Sequence, residues 1–278
     1  MTPLVEVTNL RIRFASRRGV TEALRGATFS MGREKLGIVG ESGSGKSLTG
    51  RALLGLVPAP GEVTADRLAF DGIDLLRATP AIRRGLRGRR IGLIMQDPKY
   101  ALNPVKAVGG QIAEAASLHG ASRATAWRLT LEMLAAVQIR DPERVARAFP
   151  HQLSGGMAQR VMIAMMLIAE PDLLIADEPT SALDVTVQRE VLALIEGLIR
   201  SRGMGLILIS HDLRLVARHC DRVVVMYAGR VMETLPAADL QQAQHPYTRG
   251  LLNCLPAIAR PPGPLPTLAR DPAWLGLE

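Results

Sequence analysis

Gly40-Glu41-Ser42-Gly43-Ser44-Gly45-Lys46-Ser47 is a complete match to the phosphate-binding pattern GxxxxGK(S/T). The apolar run Leu36-Gly37-Ile38-Val39 precedes it and residues 48–56 continue it with a helix-forming composition, so the pattern lies between a strand and a helix. In that setting, backbone N–H groups and a helix N-terminus converge on the phosphates of a nucleotide. We therefore expect Lys46 to reach the β- and γ-phosphates and Ser47 to bind Mg²⁺. A glycine-rich turn without a ligand is the alternative interpretation.

The composition is typical of a globular protein. Of the 278 residues, 47% are hydrophobic but only 3% are aromatic, so the core must consist of Leu, Ile, Val, Ala and Met. That composition suits an α/β protein whose sheet is covered by helices. No apolar run approaches the roughly 18 residues that cross a bilayer, and residues 1–8 lack the layout of a signal peptide. We expect the chain to stay in the cytoplasm.

The basic charge of the chain is open to two interpretations. The formal net charge is +8, and its densest run consists of Arg83, Arg84, Arg87, Arg89 and Arg90. Basic proteins are attracted to nucleic acids and to anionic lipid surfaces. No aromatic residue that could stack on a base interrupts this run, however, so a solvated surface is the other interpretation.

The first part of the chain predicts antiparallel strands. Apolar and polar residues alternate over residues 4–31, and Arg17-Arg18-Gly19 interrupts this pattern as a turn. Asp71-Gly72 follows another short apolar run at residues 67–70 and is a hairpin signal. Together these segments predict an antiparallel β layer.

The later parts predict an inserted helical segment and then a parallel sheet. Apolar residues recur at helical spacing between residues 108 and 148, namely Ile112, Ala115, Ala116, Trp127, Leu131, Leu134 and Ala135. Buried strands are expected at residues 172–176, 205–210 and 222–226, separated by helices such as 185–200. This alternation is typical of a parallel sheet with right-handed crossovers. Beyond Glu233 we expect irregular structure that ends in a Pro-rich tail.

Two acids end a predicted strand. Leu173-Leu174-Ile175-Ala176-Asp177-Glu178 is an apolar run followed by the acid pair. In phosphoryl-transfer sites, such a pair supplies an Mg²⁺ ligand and a group that activates the attacking water. We expect Asp177 in the first role and Glu178 in the second. The alternative is that the acids cap the next helix, although Pro179 disfavours an immediate helix start.

A second predicted anion site precedes another apolar helix. Leu153-Ser154-Gly155-Gly156-Met157 stands just before the predicted helix at residues 161–169. A hydroxyl and exposed amides at a helix N-terminus attract an anion. One nucleotide does not need two such sites from distant parts of one chain, so this site is expected to serve a nucleotide held by another subunit. An ordinary N-cap turn is the alternative.

In their order along the chain, these segments resemble the nucleotide-binding subunit of an ATP-binding cassette (ABC) transporter, from about residue 5 to residue 252. The resemblance rests on the Lys46 loop, Gln96 after a strand, LSGGM at 153–157, the acid pair, Ser181-Ala182-Leu183-Asp184, and His211 after a strand. It implies a P-loop NTPase core with a mostly parallel sheet, an antiparallel β subdomain and an inserted α-helical subdomain. The implied domains are an ATPase domain at 1–252, with its helical subdomain at about 97–160, and a Pro-rich extension at 253–278.

The resemblance also implies the site residues. ATP would bind Phe14, which stacks on adenine, the loop residues Gly40, Glu41, Ser42, Gly43, Ser44, Gly45, Lys46, Ser47 and Leu48, and, from a second subunit, Ser154, Gly155, Gly156 and Asp184. Mg²⁺ would bind Ser47, Gln96 and Asp177, and catalysis would fall to Glu178, His211 and Gln96. A Phe in the core is the other interpretation of Phe14. The family commonly has Gln at the position of Met157.

Three stretches narrow the resemblance to the ATPases of dipeptide, oligopeptide and nickel importers. They are residues 37–47, Met95-Gln96-Asp97-Pro98 with Leu102-Asn103-Pro104, and His245-Pro246-Tyr247-Thr248-Arg249-Gly250-Leu251-Leu252. A simple turn followed by a helix is the other interpretation of the last stretch. Some relatives bind an iron–sulfur cluster near the C-terminus, but of the two cysteines, Cys220 and Cys254, only Cys254 lies there, so none is expected.

This narrower resemblance implies an ATPase that energises a membrane importer, most naturally for peptides. The implied partners are two membrane-spanning permease subunits, a second ABC ATPase subunit in a heterodimer or homodimer, and a periplasmic or lipid-anchored solute-binding protein. The chain would lie peripherally at the cytoplasmic face of the inner membrane and would not bind nucleic acid. The alternatives are a nickel or nickel-chelate importer, a soluble ABC ATPase that acts on nucleic acid, and a catalytically silent regulatory subunit.

Overall fold

The computed structural model of the chain describes residues 2–17, 19–118, 120–181, 183–254, 268 and 271–275. Along these residues, the strands are β1 (Val5–Ser16), β2 (Gly19–Met31), β3 (Lys35–Val39), β4 (Gly61–Thr64), β5 (Arg67–Phe70), β6 (Ile73–Asp74), β7 (Ile91–Ile94), β8 (Leu173–Asp177), β9 (Gly205–Ser210), β10 (Arg222–Tyr227) and β11 (Arg230–Pro236).

The α-helices along the same residues are α1 (Lys46–Leu53), α2 (Pro80–Leu86), α3 (Val108–Leu118), α4 (Arg123–Ala136), α5 (Pro142–Arg147), α6 (Gly155–Leu167), α7 (Val185–Arg202), α8 (Leu213–His219) and α9 (Pro246–Cys254). Short 3-10 helices lie at Pro98–Tyr100, Pro150–Gln152, Ala237–Gln242 and Pro272–Leu275. The chain forms two compact units. We call residues 1–78 with 207–278 the sheet unit and residues 79–206 the helical unit.

The sheet unit contains the predicted antiparallel layer. Strand β1 pairs antiparallel with β2, β4 and β5, and β5 pairs with β6 across the predicted Asp71-Gly72 hairpin. Ser16 of β1 lies opposite Gly19 of β2, so the chain reverses where the turn is predicted, although Arg18 lies outside the described residues. Alternate residues of β1 are buried, among them Val5, Val7 and Ile12, which explains the period of two in the sequence.

A second layer of the sheet unit positions the phosphate loop. The strands β11, β10, β3 and β9 lie side by side in this order, with β10 parallel to β3 and antiparallel to β11. Strands β3, β9 and β10 are almost completely buried, as expected for parallel strands covered on both faces. The loop therefore starts from a rigid position at the end of β3.

The helical unit contains the predicted inserted helices and a parallel pair of strands. Strand β7 pairs with β8, so both strands end at the same edge. Helices α3, α4 and α5 pack on one another, and α6 packs on α3, α4 and β7. The helical period predicted at residues 108–148 is confirmed. The face of α4 predicted to be buried, however, is shifted by about one residue from the face that is buried in the structure.

Trp127 is 38% exposed, whereas Ala126, Thr130, Met133 and Leu134 are buried. Thr130 lies inside because its hydroxyl donates a 2.8 Å hydrogen bond to the carbonyl of Ala126, which satisfies a polar group that sequence patterning places outside.

After Glu233 the structure is more regular than the sequence predicts as far as residue 244, whereas the turn and helix expected at residues 245–252 are confirmed. Strand β11 continues to Pro236, a 3-10 helix follows, and α9 begins at Pro246. Proline fits the first turn of a helix because its missing N–H is not needed there. Most of the predicted Pro-rich extension lies outside the described residues.

Candidate nucleotide site

The phosphate loop has the conformation that its sequence predicts. It leaves β3 after Val39 and enters α1 at Lys46, with Gly45 at the N-cap in a left-handed conformation, φ 98°. A Cβ atom at Gly45 would lie 2.4 Å from Cδ2 of Leu24, so only glycine fits this position. The loop thus directs the N-terminus of α1 into the space where an anion is expected.

Lys46 is the centre of the loop. Its side chain is only 5% exposed, and Nζ donates hydrogen bonds of 2.8 Å to the carbonyls of Gly40 and Glu41. The backbone N–H of Ser44, which is also buried, donates to the carbonyl of Glu41 at 3.2 Å. A buried ammonium group must be compensated, and here backbone carbonyls hold it at the loop. Its positive charge adds to that of the helix N-terminus.

The other predicted residues of the sheet unit lie on the loop or after a strand. Ser42 and Gly43 are exposed at the loop tip, while Ser47 and Leu48 are half-buried in the first turn of α1. His211 is exposed directly after β9. The half-buried ring of Phe14 lies on Gly61, where a Cβ atom would approach Cε1 of the ring to 2.7 Å. Contact of these residues with a nucleotide stays a prediction.

The acid pair has an unusual backbone conformation. Strand β8 ends at Asp177, and Glu178 follows with φ 47°. This left-handed backbone conformation is energetically unfavourable for any residue other than glycine. The N–H and Oγ of Ser181 donate to the carbonyl of Glu178 at 3.3 and 3.2 Å. The N-cap of the following helix is Asp184. The helix-cap interpretation of the acid pair is therefore wrong.

Gln96 and Glu178 are brought together by the parallel strands β7 and β8. Gln96 stands two residues after β7, and its Nε2 donates a 3.2 Å hydrogen bond to Oε2 of Glu178. Strained residues that the surrounding structure holds in place are concentrated at functional sites. A carboxylate at a strand end, fixed by an amide, fits the role of a group that orients a water molecule.

The LSGGM segment is the N-terminus of α6. The helix begins at Gly155, earlier than the predicted residue 161, and Ser154 is its N-cap, whose Oγ accepts from the N–H of Met157 at 3.3 Å. Ser154 is therefore an ordinary N-cap, as the alternative interpretation states. The same helix N-terminus is still sterically open to an anion, because Ser154 and Gly155 are exposed.

Asp184 lies close to this segment. A Cβ atom at Gly156 would lie 3.0 Å from Cγ1 of Val187, so the first turns of α6 and α7 are in contact. The carboxylate of Asp184 accepts hydrogen bonds from the N–H groups of Thr186 and Val187 at 3.1 and 3.0 Å. The structure therefore brings the four residues predicted to face a second subunit onto one surface of the helical unit.

The sequence analysis assigned no site role to two residues near these sites. Gln159 is 1% exposed, and its Nε2 donates a 2.6 Å hydrogen bond to the carbonyl of Pro179, next to Glu178. An amide side chain on a mostly apolar helix is the signal that identifies it. Tyr247 is fully buried, and its hydroxyl accepts from the N–H of Glu41 at 3.3 Å. Nothing in the sequence predicts that Tyr247 contacts Glu41.

A cavity of 490 Å³ lies in the helical unit between the Gln96 segment and α6. It is lined by Gln96, Asp97, Pro98, Lys99, Leu102, Pro104, Pro150, His151, Leu153, Gly155, Ala158, Gln159, Pro179 and Leu183. Gln96 thus contacts both this cavity and Glu178.

The candidate metal ligands are Ser47, Gln96 and Asp177. All three offer oxygen atoms, which suits Mg²⁺, an ion that proteins bind through one or two carboxylates together with substrate phosphates. In the part of the chain that the structure describes, no cluster of three or more His, Cys, Asp or Glu could hold a metal on its own. Oxygen donors of these kinds fit Mg²⁺ that also binds the phosphates of a nucleotide.

Comparison of the sequence with known protein families and proteins shows its relatives. The family model described as ABC transporter matches residues 24–181, which include the phosphate loop and the acid pair. A probable peptide ABC transporter ATP-binding protein of Sinorhizobium fredii is 47% identical over 97% of this chain and 84% of its own length. The dipeptide transport ATP-binding protein DppD of Escherichia coli is 45% identical over 92% of this chain and 80% of its own length.

Solved structures share the fold. An ATP-binding cassette solved as a dimer in a post-hydrolysis state with ADP and Pi matches with a TM-score of 0.73 and 28% identity, over 84% of this chain and 98% of that one. The protein cbiO1 of Clostridium perfringens, part of the transporter complex cbiONQ, matches with a TM-score of 0.74 and 26% identity, over 87% and 92%. Along the described residues, none of the helices combines the length and apolar character required to cross a membrane.

Proposed function

Because the chain belongs to the ABC transporter family, as an ATPase subunit, we propose that it hydrolyses ATP to energise a membrane importer of di- or oligopeptides. The observation that carries the proposal is the buried Lys46 in a complete phosphate loop at the N-terminus of α1. The substrate class is supported by the relatives named for peptide and dipeptide transport, which align with more than nine-tenths of this chain.

In this proposal, the loop residues Gly40 to Leu48 bind the phosphates of ATP and Phe14 contacts the adenine. Ser47, Gln96 and Asp177 supply oxygen ligands for Mg²⁺, which when bound neutralises charge on the β- and γ-phosphates. Lys46 neutralises further charge as the transition state forms. The hard oxygen donors and the buried ammonium group support these assignments.

Glu178 is the proposed catalytic base. Its carboxylate accepts the proton of a water molecule that attacks the γ-phosphate, and His211 contacts the same phosphate group. The hydrogen bond from Gln96 supports this role, because it restricts the carboxylate to one orientation before water binds.

A second ABC ATPase subunit completes the proposed site. Ser154, Gly155, Gly156 and Asp184 of one subunit contact the ATP bound to the loop of the other, and hydrolysis releases the pair. Their common surface in the helical unit, with Ser154, Gly155 and Asp184 exposed, supports this arrangement. A heterodimer is our preferred form, and a homodimer is the alternative.

The remaining partners follow from the importer function. We propose that the chain lies at the cytoplasmic face of the cell membrane, bound to two permease subunits, and that a solute-binding protein outside the membrane delivers the peptide. The Gln96 segment would contact the permease, since it lines an open cavity and also contacts Glu178. Binding of ATP and movement of the permease are then linked through one side chain.

Co-purification from native membranes with this chain as bait tests the proposal. We expect two polytopic permeases and a second ATPase, and an ATPase activity that rises when the cognate solute-binding protein is loaded with a dipeptide or oligopeptide. If a nickel chelate rather than a peptide raised the ATPase activity, the transported substrate would be the nickel chelate. Recovery of ribosomes or DNA without permeases would overturn the transport function.

A further inference from the structure

Tyr247 connects the C-terminal part of the sheet unit to the phosphate loop. It belongs to the His-Pro-Tyr-Thr stretch, for which nucleotide chemistry gave no role. The side chain is fully buried, and its hydroxyl accepts a 3.3 Å hydrogen bond from the backbone N–H of Glu41, 206 residues earlier in the chain. A buried tyrosine hydroxyl usually has a hydrogen-bond partner, and here that partner is the loop itself.

The hydrogen bond acts on the same peptide group that holds Lys46. The carbonyl of Gly40 and the N–H of Glu41 belong to one planar peptide unit. Nζ of Lys46 donates to that carbonyl at 2.8 Å, and Tyr247 accepts from the N–H on the opposite side. Rotation of this peptide would break both contacts. Tyr247 therefore limits the orientations of the carbonyl that positions the Lys46 ammonium group.

The ring of Tyr247 is itself held by aromatic neighbours. Its centroid lies 4.7 Å from that of Tyr227 and 5.7 Å from that of Trp274, which meets it edge to face. Nδ1 of His245 accepts from the N–H of Tyr247 at 3.1 Å, which fixes the start of α9. The hydroxyl thus has a defined position independent of the loop.

Trp274 brings the C-terminal segment into this cluster. Besides Tyr247, its ring contacts Tyr227 and His245, each at 5.9 Å between centroids. The side chain of Leu268 lies against Gly250 of α9, where a Cβ atom would approach its Cδ1 to 2.1 Å. The contacts of Trp274 and Leu268 pack the C-terminal segment against α9, the helix that carries Tyr247.

We propose that Tyr247 is a positioning residue of the phosphate loop, and that Trp274 of the C-terminal segment raises the affinity for ATP by holding Tyr247 in place. The inference rests on the proposed function in one respect, namely that the loop binds ATP. The described residues after α9 thereby acquire a role in nucleotide binding.

The variant Tyr247→Phe tests the first part, because it removes the hydroxyl and keeps the ring. We expect the dissociation constant for ATP with Mg²⁺, and the KM for ATP, to rise about three- to tenfold, the effect of one lost hydrogen bond. The kcat at saturating ATP should be retained. A purely structural role would lower kcat and thermal stability together. Tyr227→Phe, which removes a hydroxyl from the same cluster, is the matched control and should leave both constants unchanged.

The variant Trp274→Ala tests the second part. Alone, it should raise the dissociation constant for ATP in the same direction as Tyr247→Phe. Combined with Tyr247→Phe it should add little, because both changes release the same hydrogen bond. Equal effects of Trp274→Ala in the presence and absence of the Tyr247 hydroxyl would overturn the link to the C-terminal segment.

Lys46→Ala separates this inference from the function on which it rests. If Lys46→Ala binds ATP as the unmodified protein does, the loop is not the ATP site and the proposed function fails. If Lys46→Ala loses ATP binding while Tyr247→Phe binds ATP like the unmodified protein, the proposed function stands and the positioning role of Tyr247 is wrong.

Discussion

Nε2 of Gln96 lies 3.2 Å from Oε2 of Glu178 and donates a hydrogen bond to it, so that two residues 82 positions apart form one unit at the ends of β7 and β8. Gln96 also lines the cavity beside α6. A protein segment bound in this cavity would contact the side chain that donates the hydrogen bond to Glu178. In the proposed function, this contact is the link between the permease and the catalytic base.

Glu178→Gln should abolish most of the ATPase activity without weakening ATP binding. The substitution keeps the size of the side chain but removes the group that accepts a proton, and loss of a general base typically reduces the rate about 10² to 10⁴-fold. ATP-dependent association with the second subunit should persist, because bound ATP is not consumed. Single-turnover hydrolysis and gel filtration with ATP measure the two effects.

Glu190→Gln is the control for Glu178→Gln. The side chain of Glu190, in the same unit, is 52% exposed and forms an ion pair with Arg160 at 2.6 Å, so its neutralisation should change the activity little. If Glu178→Gln turned over ATP at the normal rate, Glu178 would not be the catalytic base.

Gln159→Leu should destabilise the protein and lower its activity. The substitution keeps the volume but removes the buried donor to the carbonyl of Pro179, and an unsatisfied buried acceptor costs about 1–3 kcal/mol. Glu178 precedes Pro179 directly, so kcat should fall as well. Urea unfolding measures the stability, with Gln241→Leu at an exposed position as control. An unchanged unfolding free energy would show that the 2.6 Å contact contributes nothing.

The two glycines of the LSGGM segment should respond differently to alanine. A Cβ atom at Gly155 would have only Leu183 nearby, at 4.0 Å, whereas one at Gly156 would lie 3.0 Å from Val187. Gly155→Ala should therefore raise the free energy of unfolding by about 0.5 kcal/mol through its helix propensity, while Gly156→Ala lowers it. If the proposed dimer is correct, Gly155→Ala should nevertheless reduce ATP hydrolysis, because its methyl group faces the second subunit.

Thermal unfolding and ATPase assays on both variants measure these effects. A Gly155→Ala variant that is both more stable and fully active would contradict the proposed surface for the second subunit. A Gly156→Ala variant that gained as much stability as Gly155→Ala would show that the contact between α6 and α7 accommodates the methyl group at no cost.

The sequence predicts the parts of the fold that depend on neighbouring residues. The strand before Gly40, the acids at the end of β8 and the hairpin at Asp71-Gly72 all follow from short patterns, and the structure confirms them. The start of α6 was predicted too late because glycines disfavour helices, yet the N-cap Ser154 and contact with α7 overcome their low propensity.

Contacts between distant residues were not predictable. The hydrogen bond between Glu41 and Tyr247 depends on how the strands of the sheet unit place α9, and no local pattern encodes that placement. The positive φ of Glu178 also escapes prediction, because only the surrounding structure holds a non-glycine residue there. The roles of Phe14 and His211 stay predictions, since they depend on a bound nucleotide.

The carboxylate of Glu233 stabilises the start of α9. Burial by itself would raise the pKa of Glu233 above its ordinary value of 4.5, but hydrogen bonds to the carboxylate, two of them from the backbone N–H groups of Gln244 and His245 at 2.7 and 3.2 Å, lower it overall. These bonds strengthen as the group ionises. Glu233 thus holds Gln244 and His245, the two residues that precede α9.

Glu233→Gln should therefore destabilise the protein in a pH-dependent manner. Because the pKa is lowered in the folded state, the charged carboxylate contributes stability above about pH 4.5, and this contribution disappears as the pH falls below that value through the folded-state pKa. Near pH 7 we expect a loss of about 1 kcal/mol, at the low end because the group is partly exposed and glutamine still accepts one bond. Urea unfolding between pH 7 and pH 3 measures the difference, with Glu62→Gln on the exposed edge of β4 as control. A difference that stayed constant over this range would mean that the charge of Glu233 does not stabilise α9.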